Sequence, residues 1–161
     1  MAFRRVRCSL PVAMPETRSG PWLAFDYGER CVGVAMAHPM TGTARPLAPL
    51  PNHSGDQLNK AIEGLIREWR PSDIVIGLPL AKDGGESAMS RRVRRFAGAL
   101  AESNPKLNVD LQDERMTSEI AARQFADRRR AGRARRKDAA SLDSQAAAVI
   151  LDAWMRDRGQ L

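Results

Sequence analysis

The amino-acid sequence predicts an α/β fold in which helices flank a mixed five-stranded sheet, with three antiparallel strands first and parallel strands after them. Two apolar segments, residues 22–25 and 31–37, are separated by a short Tyr-Gly turn and predict a β-hairpin. The continuous apolar run 74–78 is typical of a strand that is covered on both faces. A helical segment and then another strand follow it, and this order implies parallel pairing through a right-handed crossover.

The remaining elements follow from the periodicity of their apolar residues. The extended segment 43–50 contains prolines, which suit a strand at the edge of a sheet. Residues 56–69 and 89–100 have apolar side chains at helical spacing, and residues 107–111 alternate as a half-buried strand does. We expect a helix over residues 117–130, capped by a threonine, and then a basic loop.

A last helix is predicted after the basic loop. Its expected apolar stripe comprises Leu142, Ala146, Val149, Ile150 and Ala153. The dipeptide Ser144-Gln145 is expected on the surface of this helix.

The length and charge of the chain limit its possible functions. Its 161 residues fit one domain, which we place at residues 21–158, after a flexible basic arm at residues 1–20. The formal net charge of +7 and the excess of arginine over lysine favour nucleic acid as a partner. No apolar run approaches the roughly 20 residues of a membrane span, so no membrane role is expected. Cys8 and Cys31 suggest no disulfide framework, and a reducing cytoplasm fits best.

Four acidic residues lie where strands end or where the last helix begins. Asp26 ends a buried strand, where a carboxylate has little packing value, although an aspartate there could also simply start a turn. Asp113 and Glu114 are adjacent at the end of another strand, so they face opposite sides, and parity alone does not decide which one faces a site. Asp143 lies near the small residues of the last helix.

Two other acids near Asp143 have simpler explanations. Asp138 is closer to the basic loop and is expected to cap the start of the helix, where a negative charge is favourable. Asp152 lies well along the helix and is expected to be solvated.

Four motifs in this order give the chain a specific resemblance. They are FDYGERCVGVA, IVIGLPLAKDG, LQDERMTS, and LDSQAAAVIL after a basic RARRK loop. Over roughly residues 22–155 the sequence resembles the YqgF (RuvX) family of the ribonuclease-H-like superfamily. The resemblance implies a ribonuclease-H-like sheet and a nuclease site in which Asp26, Glu114 and Asp143 are both catalytic residues and metal ligands.

The family resemblance also implies a reaction and a substrate. It implies a Mg²⁺-dependent (or Mn²⁺-dependent) endonuclease that processes the 5′ end of precursor 16S ribosomal RNA. Nothing in the residues themselves distinguishes structured RNA from branched DNA, so a resolvase of four-way DNA junctions is the alternative. A non-catalytic nucleic-acid-binding module is a lower alternative, and an actin-like phosphotransferase would need a second large domain. We expect a monomer or a weak dimer.

Several residues are candidates for binding the substrate. Gly28 either permits the hairpin turn or clears room for a phosphate, and Lys82 either contacts a phosphate or is a solvated loop residue. Arg115 follows the two adjacent acids and is a candidate for a phosphate contact or for a partner of Asp113. The basic loop contributes the remaining candidates, which are Arg133, Arg135, Arg136 and Lys137. Phosphate contacts of this kind give affinity without sequence information.

Overall fold

The computed structural model describes residues 20–115 and 139–160. The basic arm, the predicted helix over residues 117–130 and the basic loop lie outside these described residues. The elements are β1 (Trp22–Tyr27), β2 (Cys31–Ala37), β3 (Arg45–Pro51), α1 (Gly55–Trp69), β4 (Asp73–Leu78), α2 (Ala88–Ser103), β5 (Asn108–Asp113) and α3 (Ala139–Asp157). Within the described ranges, no helix is long and apolar enough to cross a bilayer.

The sheet has the strand order β3-β2-β1-β4-β5. The pairs β1–β2 and β2–β3 are antiparallel, whereas β1–β4 and β4–β5 are parallel. This is the mixed five-stranded sheet that the sequence predicts, with the proline-containing strand β3 at one edge. Because β1, β4 and β5 are parallel, their carboxyl ends meet at one end of the sheet.

Alternating side chains of the strands form two apolar layers, one on each face. Leu23 and Phe25 of β1 are fully buried in the layer that also contains the inner faces of α1 and α2. Trp22 and Ala24 belong to the opposite layer, which is covered by α3. The two faces of β1 are thus both buried, so a residue's parity on this strand tells which helices it faces.

The buried face of α3 differs from the predicted stripe. Val149 and Ile150 are buried as expected, but Leu142 is 39% exposed, and Ala146 and Ala153 are only half-buried. Ser144, expected on the surface, is only 1% exposed. The helix is therefore rotated toward Ser144, Ala147, Leu151, Trp154 and Met155, which are buried against the sheet.

A polar network attaches the carboxyl-terminal half of α3 to β5. Asp110 is buried, accepts a hydrogen bond of 3.0 Å from the indole Nε1 of Trp154, and forms an ion pair with Arg158. Gln112 donates its amide to Asp157 at 2.9 Å. Strand β5 was expected to be half-buried with a polar outer face, but α3 covers that face, where Asp110 and Gln112 have partners on the helix or directly after it.

Candidate active site

Asp26 lies near the carboxyl end of β1 and faces α3. It is paired in register with Gly33 of the antiparallel strand β2. It shares parity with Trp22 and Ala24, whose side chains are in the layer beneath α3. The hairpin therefore directs a part-buried carboxylate toward the helix that carries Asp143.

Glu114 directly follows β5 and faces the same side of the sheet as Asp26. Its backbone N–H donates to the carbonyl of Leu78 at 3.1 Å, which extends the parallel pairing by one residue. Its carboxylate lies directly over Gly77, where an added Cβ would be 2.0 Å from Oε1 of Glu114. Because Gly77 has no side chain, the carboxylate of Glu114 can occupy this position at the end of β4.

Asp113 points away from this group of acids. Its carboxylate accepts hydrogen bonds from Nε and the backbone N–H of Arg115, at 2.8 Å and 2.9 Å. These hydrogen bonds from Arg115 hold the pKa of Asp113 below its usual value. The choice between Asp113 and Glu114, which strand parity left open, is resolved geometrically in favour of Glu114 as the neighbour of Asp26.

The first described turns of α3 approach the sheet at Gly33. A Cβ at Gly33 would lie 2.0 Å from the backbone oxygen of Asp143 and 2.8 Å from the nitrogen of Ser144, so only glycine allows this approach. The buried hydroxyl of Ser144 accepts a hydrogen bond of 3.2 Å from the N–H of Val34. The register between β2 and β3 shifts between Val32 and Val34, and the serine bonds at this irregularity. Together these contacts fix Asp143 beside Asp26.

Electrostatic interactions link Asp26 with each of the other two acids. Burial raises the pKa of Asp26 to about 6, with a further contribution from the negative charge of Asp143. Burial also raises the pKa of Glu114 to about 7, and the charges of Asp26 and Asp113 add to this effect. Asp26 is therefore within electrostatic range of both other acids, as three converging carboxylates require.

The donor set suits a hard divalent cation. Carboxylate oxygens are the ligands that Mg²⁺ prefers, and it keeps several waters, so a few carboxylates suffice. Within residues 20–115 and 139–160, no group of three or more His, Cys, Asp or Glu side chains is close enough to hold a metal ion as it stands. A bound cation would offset the burial and the mutual repulsion that together raise the pKa values of Asp26 and Glu114.

Cys31 also lies in this site, which the sequence analysis did not predict. Its thiol is hydrogen-bonded to Asp143, and burial together with the charges of Asp143 and Asp26 raises its pKa. Cys31 precedes Gly33 by two positions on β2 and therefore points to the same face. This two-residue spacing is the sequence feature that could have indicated Cys31 as a site residue. It is informative only when Gly33 is known to face Asp143.

The other predicted binding residues lie around this end of the sheet. The N–H of Gly28 donates to the carbonyl of Cys31 at 3.0 Å, and an added Cβ would lie 2.5 Å from that oxygen, which supports a role in the turn. Lys82 is exposed in the loop after β4, and its side chain forms no ion pair within the described ranges. Arg115 is held by Asp113. The candidates Arg133, Arg135, Arg136 and Lys137 lie outside the described residues.

The raised pKa values predict how the stability of the metal-free protein depends on pH. A carboxyl group whose pKa is higher in the folded state stabilises the fold at low pH, and this contribution is lost as the pH rises through the folded value. With pKa values of about 6 for Asp26 and about 7 for Glu114, the free energy of unfolding in EDTA should fall between about pH 5 and pH 8. We expect a fall on the order of 2 kcal/mol per group. Urea unfolding at both pH values measures it, and an excess of Mg²⁺ should restore the lost stability.

Matched variants separate this effect from other titrating groups. Asp26→Asn and Glu114→Gln should each flatten the dependence on pH, whereas Asp56→Asn on the exposed first turn of α1 should leave its slope unchanged. An equally steep fall in the Asp26 and Glu114 variants would show that these two acids are not the destabilising groups.

Sequence comparison relates the chain to one family. The sequence profile named RuvX, described as Holliday junction resolvase, matches residues 20–157. A Cronobacter sakazakii protein, provisionally named as a pre-16S rRNA nuclease, is 40% identical over 141 residues, which cover 88% of this chain and 99% of that protein. A Yersinia pestis protein with the same name is 38% identical over 136 residues, covering 84% and 94% of the two chains.

Solved structures share the fold at low sequence identity. The yeast mitochondrial Holliday junction resolvase Ydc2 aligns with a TM-score of 0.57 at 13% identity, covering 91% of this chain and 82% of its own. Thermus thermophilus RuvC, solved with a Holliday junction substrate, aligns with a TM-score of 0.53 at 15% identity, covering 84% and 95%. At these identities the likeness concerns the architecture of the sheet and its helices.

Proposed function

This chain belongs to the RuvX family, and from that premise we propose that it is a metal-dependent endonuclease that processes the 5′ end of precursor 16S ribosomal RNA. Its reaction class is hydrolysis of phosphodiester bonds. The observation that supports the proposal is that Asp26, at the end of β1, interacts electrostatically with both Glu114 and Asp143, which lie against Gly77 and Gly33. The choice of RNA is supported by the provisional names of relatives that match 84–88% of the chain.

The chemistry of the site follows from what its residues supply. Bound Mg²⁺ or Mn²⁺ would activate the attacking water and stabilise the leaving oxygen. Asp26, Glu114 and Asp143 would hold the cation, and their partial burial strengthens the interaction of their charges with it. Glu114, with a pKa of about 7, must give up its remaining proton when the cation binds, so binding should release protons near neutral pH. Gly77 and Gly33 allow the approach that positions two of the acids.

The test of this proposal compares two substrates under identical conditions. Wild type and Asp26→Asn are incubated with an RNA that spans the 5′ junction of precursor and mature 16S sequence, and with a four-way DNA junction. We expect Mg²⁺-dependent cleavage of the RNA at a defined position by wild type, none in EDTA, and none by the variant. Preferential, symmetric cleavage of the DNA junction would instead establish the resolvase alternative, and binding without any cleavage would establish a non-catalytic module.

The resolvase alternative is favoured by one specific observation. The family description names a Holliday junction resolvase, and two solved resolvases share the fold. Such an enzyme needs two sites to cut two strands, so its activity would require a dimer. Sedimentation at the enzyme concentration used for cleavage tests this requirement, because activity of a monomer excludes paired cuts within one complex.

The basic loop is proposed to bind the phosphate backbone of the substrate. Arg133, Arg135, Arg136 and Lys137 directly precede, in the sequence, the helix that carries Asp143. Replacing Arg135 and Arg136 by alanine should weaken binding and lower the slope of log K against log salt by about 2, one unit per lost contact. Fluorescence anisotropy over a range of salt concentrations measures this slope. An unchanged slope would exclude these two arginines as backbone contacts.

A further inference from the structure

Helix α2 begins with an unusual concentration of positive charge. Four arginines, Arg91, Arg92, Arg94 and Arg95, lie in its first two turns, and its first turn contains no acidic residue. The amino end of a helix is the positive end of its dipole, where cations are unfavourable and acids are preferred. The helix already has a capping box formed by Ser87 and Ser90. The formation of helix α2 therefore does not require these arginines.

Within the described residues, two of these arginines are paired with acids. Arg92 forms an ion pair of 2.5 Å with Glu29 of the β1–β2 turn, and Arg94 pairs with Glu86. Arg91 and Arg95 are exposed and form no ion pair in the part of the chain that the structure describes. They are one helical turn apart, a spacing at which like charges destabilise a helix. Residues 88–95, the first two turns of α2, contain four arginines and no acidic residue.

Helix α2 packs on the face of the sheet opposite to that of Asp26, and its first turns lie beside the β1–β2 turn. Phe96 of α2 packs against Tyr27, with ring centroids 4.8 Å apart, and against Phe25 at 6.4 Å. Asp26 lies between Phe25 and Tyr27 in β1 and points to the other face.

The ion pair of Arg92 with Glu29 places the start of α2 beside the hairpin turn. Arg30 of the same turn is also exposed and has no ion pair within the described residues.

We propose that Arg30, Arg91, Arg92 and Arg95, called here the α2 arginine surface, bind the phosphate backbone of the nucleic acid that enters the carboxylate site. The substrate would pass over the β1–β2 turn and contact both faces of the sheet. This inference rests on the proposed function and extends it by a second contact surface.

Arginine chemistry supports a phosphate partner. The planar guanidinium matches phosphate oxygens through two parallel hydrogen bonds. Arg92 has five N–H donors, so it can contact a phosphate while it remains paired with Glu29. Tyr27 and Phe96 pack against each other and against the core, so the surface offers charge without an aromatic stacking platform. Contacts of this kind bind RNA and DNA backbones without reading sequence.

The test measures binding separately from cleavage. The double variant Arg91→Ala/Arg95→Ala is made in the full chain that also carries Asp26→Asn, so that the probes are bound but not cleaved. It is titrated with the precursor 16S RNA fragment and with the four-way DNA junction. We expect the dissociation constant to rise about ten-fold at low salt and the salt slope to fall by about 2. Arg91→Lys/Arg95→Lys should keep the slope, because the charges remain. Thermal unfolding verifies that each variant is folded.

A matched control removes two charges elsewhere on the same face. Lys60 and Arg67 are exposed on α1, and Lys60→Ala/Arg67→Ala changes the net charge by the same amount. We expect this variant to bind with nearly the wild-type slope, because these residues belong to α1 and not to the α2 arginine surface. An equal loss in both alanine pairs would mean a general charge effect and would overturn the proposal.

The remaining outcomes distinguish this inference from the proposed function. If the chain with Asp26 intact cleaves RNA while Arg91→Ala/Arg95→Ala binds both probes unchanged, the α2 arginine surface is refuted and the nuclease assignment stands. If the chain with Asp26 intact cleaves neither probe but Arg91→Ala/Arg95→Ala loses binding, the α2 arginine surface is supported and the nuclease assignment is refuted. A chain that binds neither probe refutes the surface.

Discussion

Replacing Asp26 by asparagine is expected to lower cleavage of the precursor RNA by at least about 10²–10³-fold, the loss typical when one preorganised electrostatic group is removed from an active site. Asp26 is within electrostatic range of both other acids, so its charge is the one that a shared cation would depend on most. The same change should stabilise the metal-free protein at pH 8, because it removes a part-buried negative charge whose pKa is raised to about 6. Single-turnover cleavage and thermal unfolding measure the two effects.

Gain of stability together with loss of activity distinguishes a site residue from a structural one. Asp152, which the sequence analysis wrongly expected to be solvated, is a part-buried carboxylate whose pKa is raised by burial. Asp152→Asn serves as a control, because Asp152 lies outside the group of three acids. This variant should retain activity. Comparing Glu114→Gln with Asp113→Asn tests the choice between the adjacent acids, and only the Glu114 variant should lose cleavage. Full activity in Asp26→Asn would show that the carboxylate group is not the catalytic site.

Replacing Gly33 by alanine is expected to be the most damaging change outside the acids themselves. The new Cβ would lie 2.0 Å from the backbone oxygen and 2.2 Å from the carbonyl carbon of Asp143, and backbone atoms cannot turn aside as a side chain can. Helix α3 must then move away from β2, which breaks the Ser144–Val34 hydrogen bond and displaces Asp143. A misplacement of about 1 Å costs on the order of 10²-fold in rate, and overpacking costs about 1–3 kcal/mol in stability.

The chain offers a matched control for this glycine. Gly98 lies in α2, where an added Cβ would meet nothing within 4 Å. Gly98→Ala should therefore raise stability by about 0.5–1 kcal/mol, because glycine is unfavourable inside a helix, and should leave cleavage unchanged. Denaturant unfolding and cleavage rates of the two variants form one experiment. If Gly33→Ala were as stable and active as wild type, the close approach of α3 to β2 would be wrong.

The sequence predicted the sheet because its signals are local. The Tyr-Gly turn defines the hairpin, and the run Ile74–Leu78 marks a strand that the structure shows to be buried throughout. The four motifs also identified the family, which the profile match and two relatives confirm. Apolar periodicity and turn chemistry act over a few residues, so they can be read without knowing what packs against each element.

The orientation of α3 could not be predicted in the same way. Its rotation is set by Gly33 and by the hydrogen bond from Val34 to Ser144, which joins residues 110 positions apart. Leu142 was therefore wrongly expected in the apolar stripe, and Ser144 was wrongly expected on the surface. The same helix covers Asp110, whose burial no local pattern indicates. Helix α3 also covers the face of the sheet that carries the acids. The placement of Glu114 and Cys31 in the site therefore could not be predicted without knowing the position of α3.

Binding of Mn²⁺ in a crystal tests the shared cation site most directly, because its anomalous scattering locates the ion independently of activity. The account predicts anomalous density within ligand distance of carboxylate oxygens of Asp26, Glu114 and Asp143, and its disappearance in Asp26→Asn crystals soaked in the same way. Density found only elsewhere, with these three side chains directed to separate regions, would contradict it.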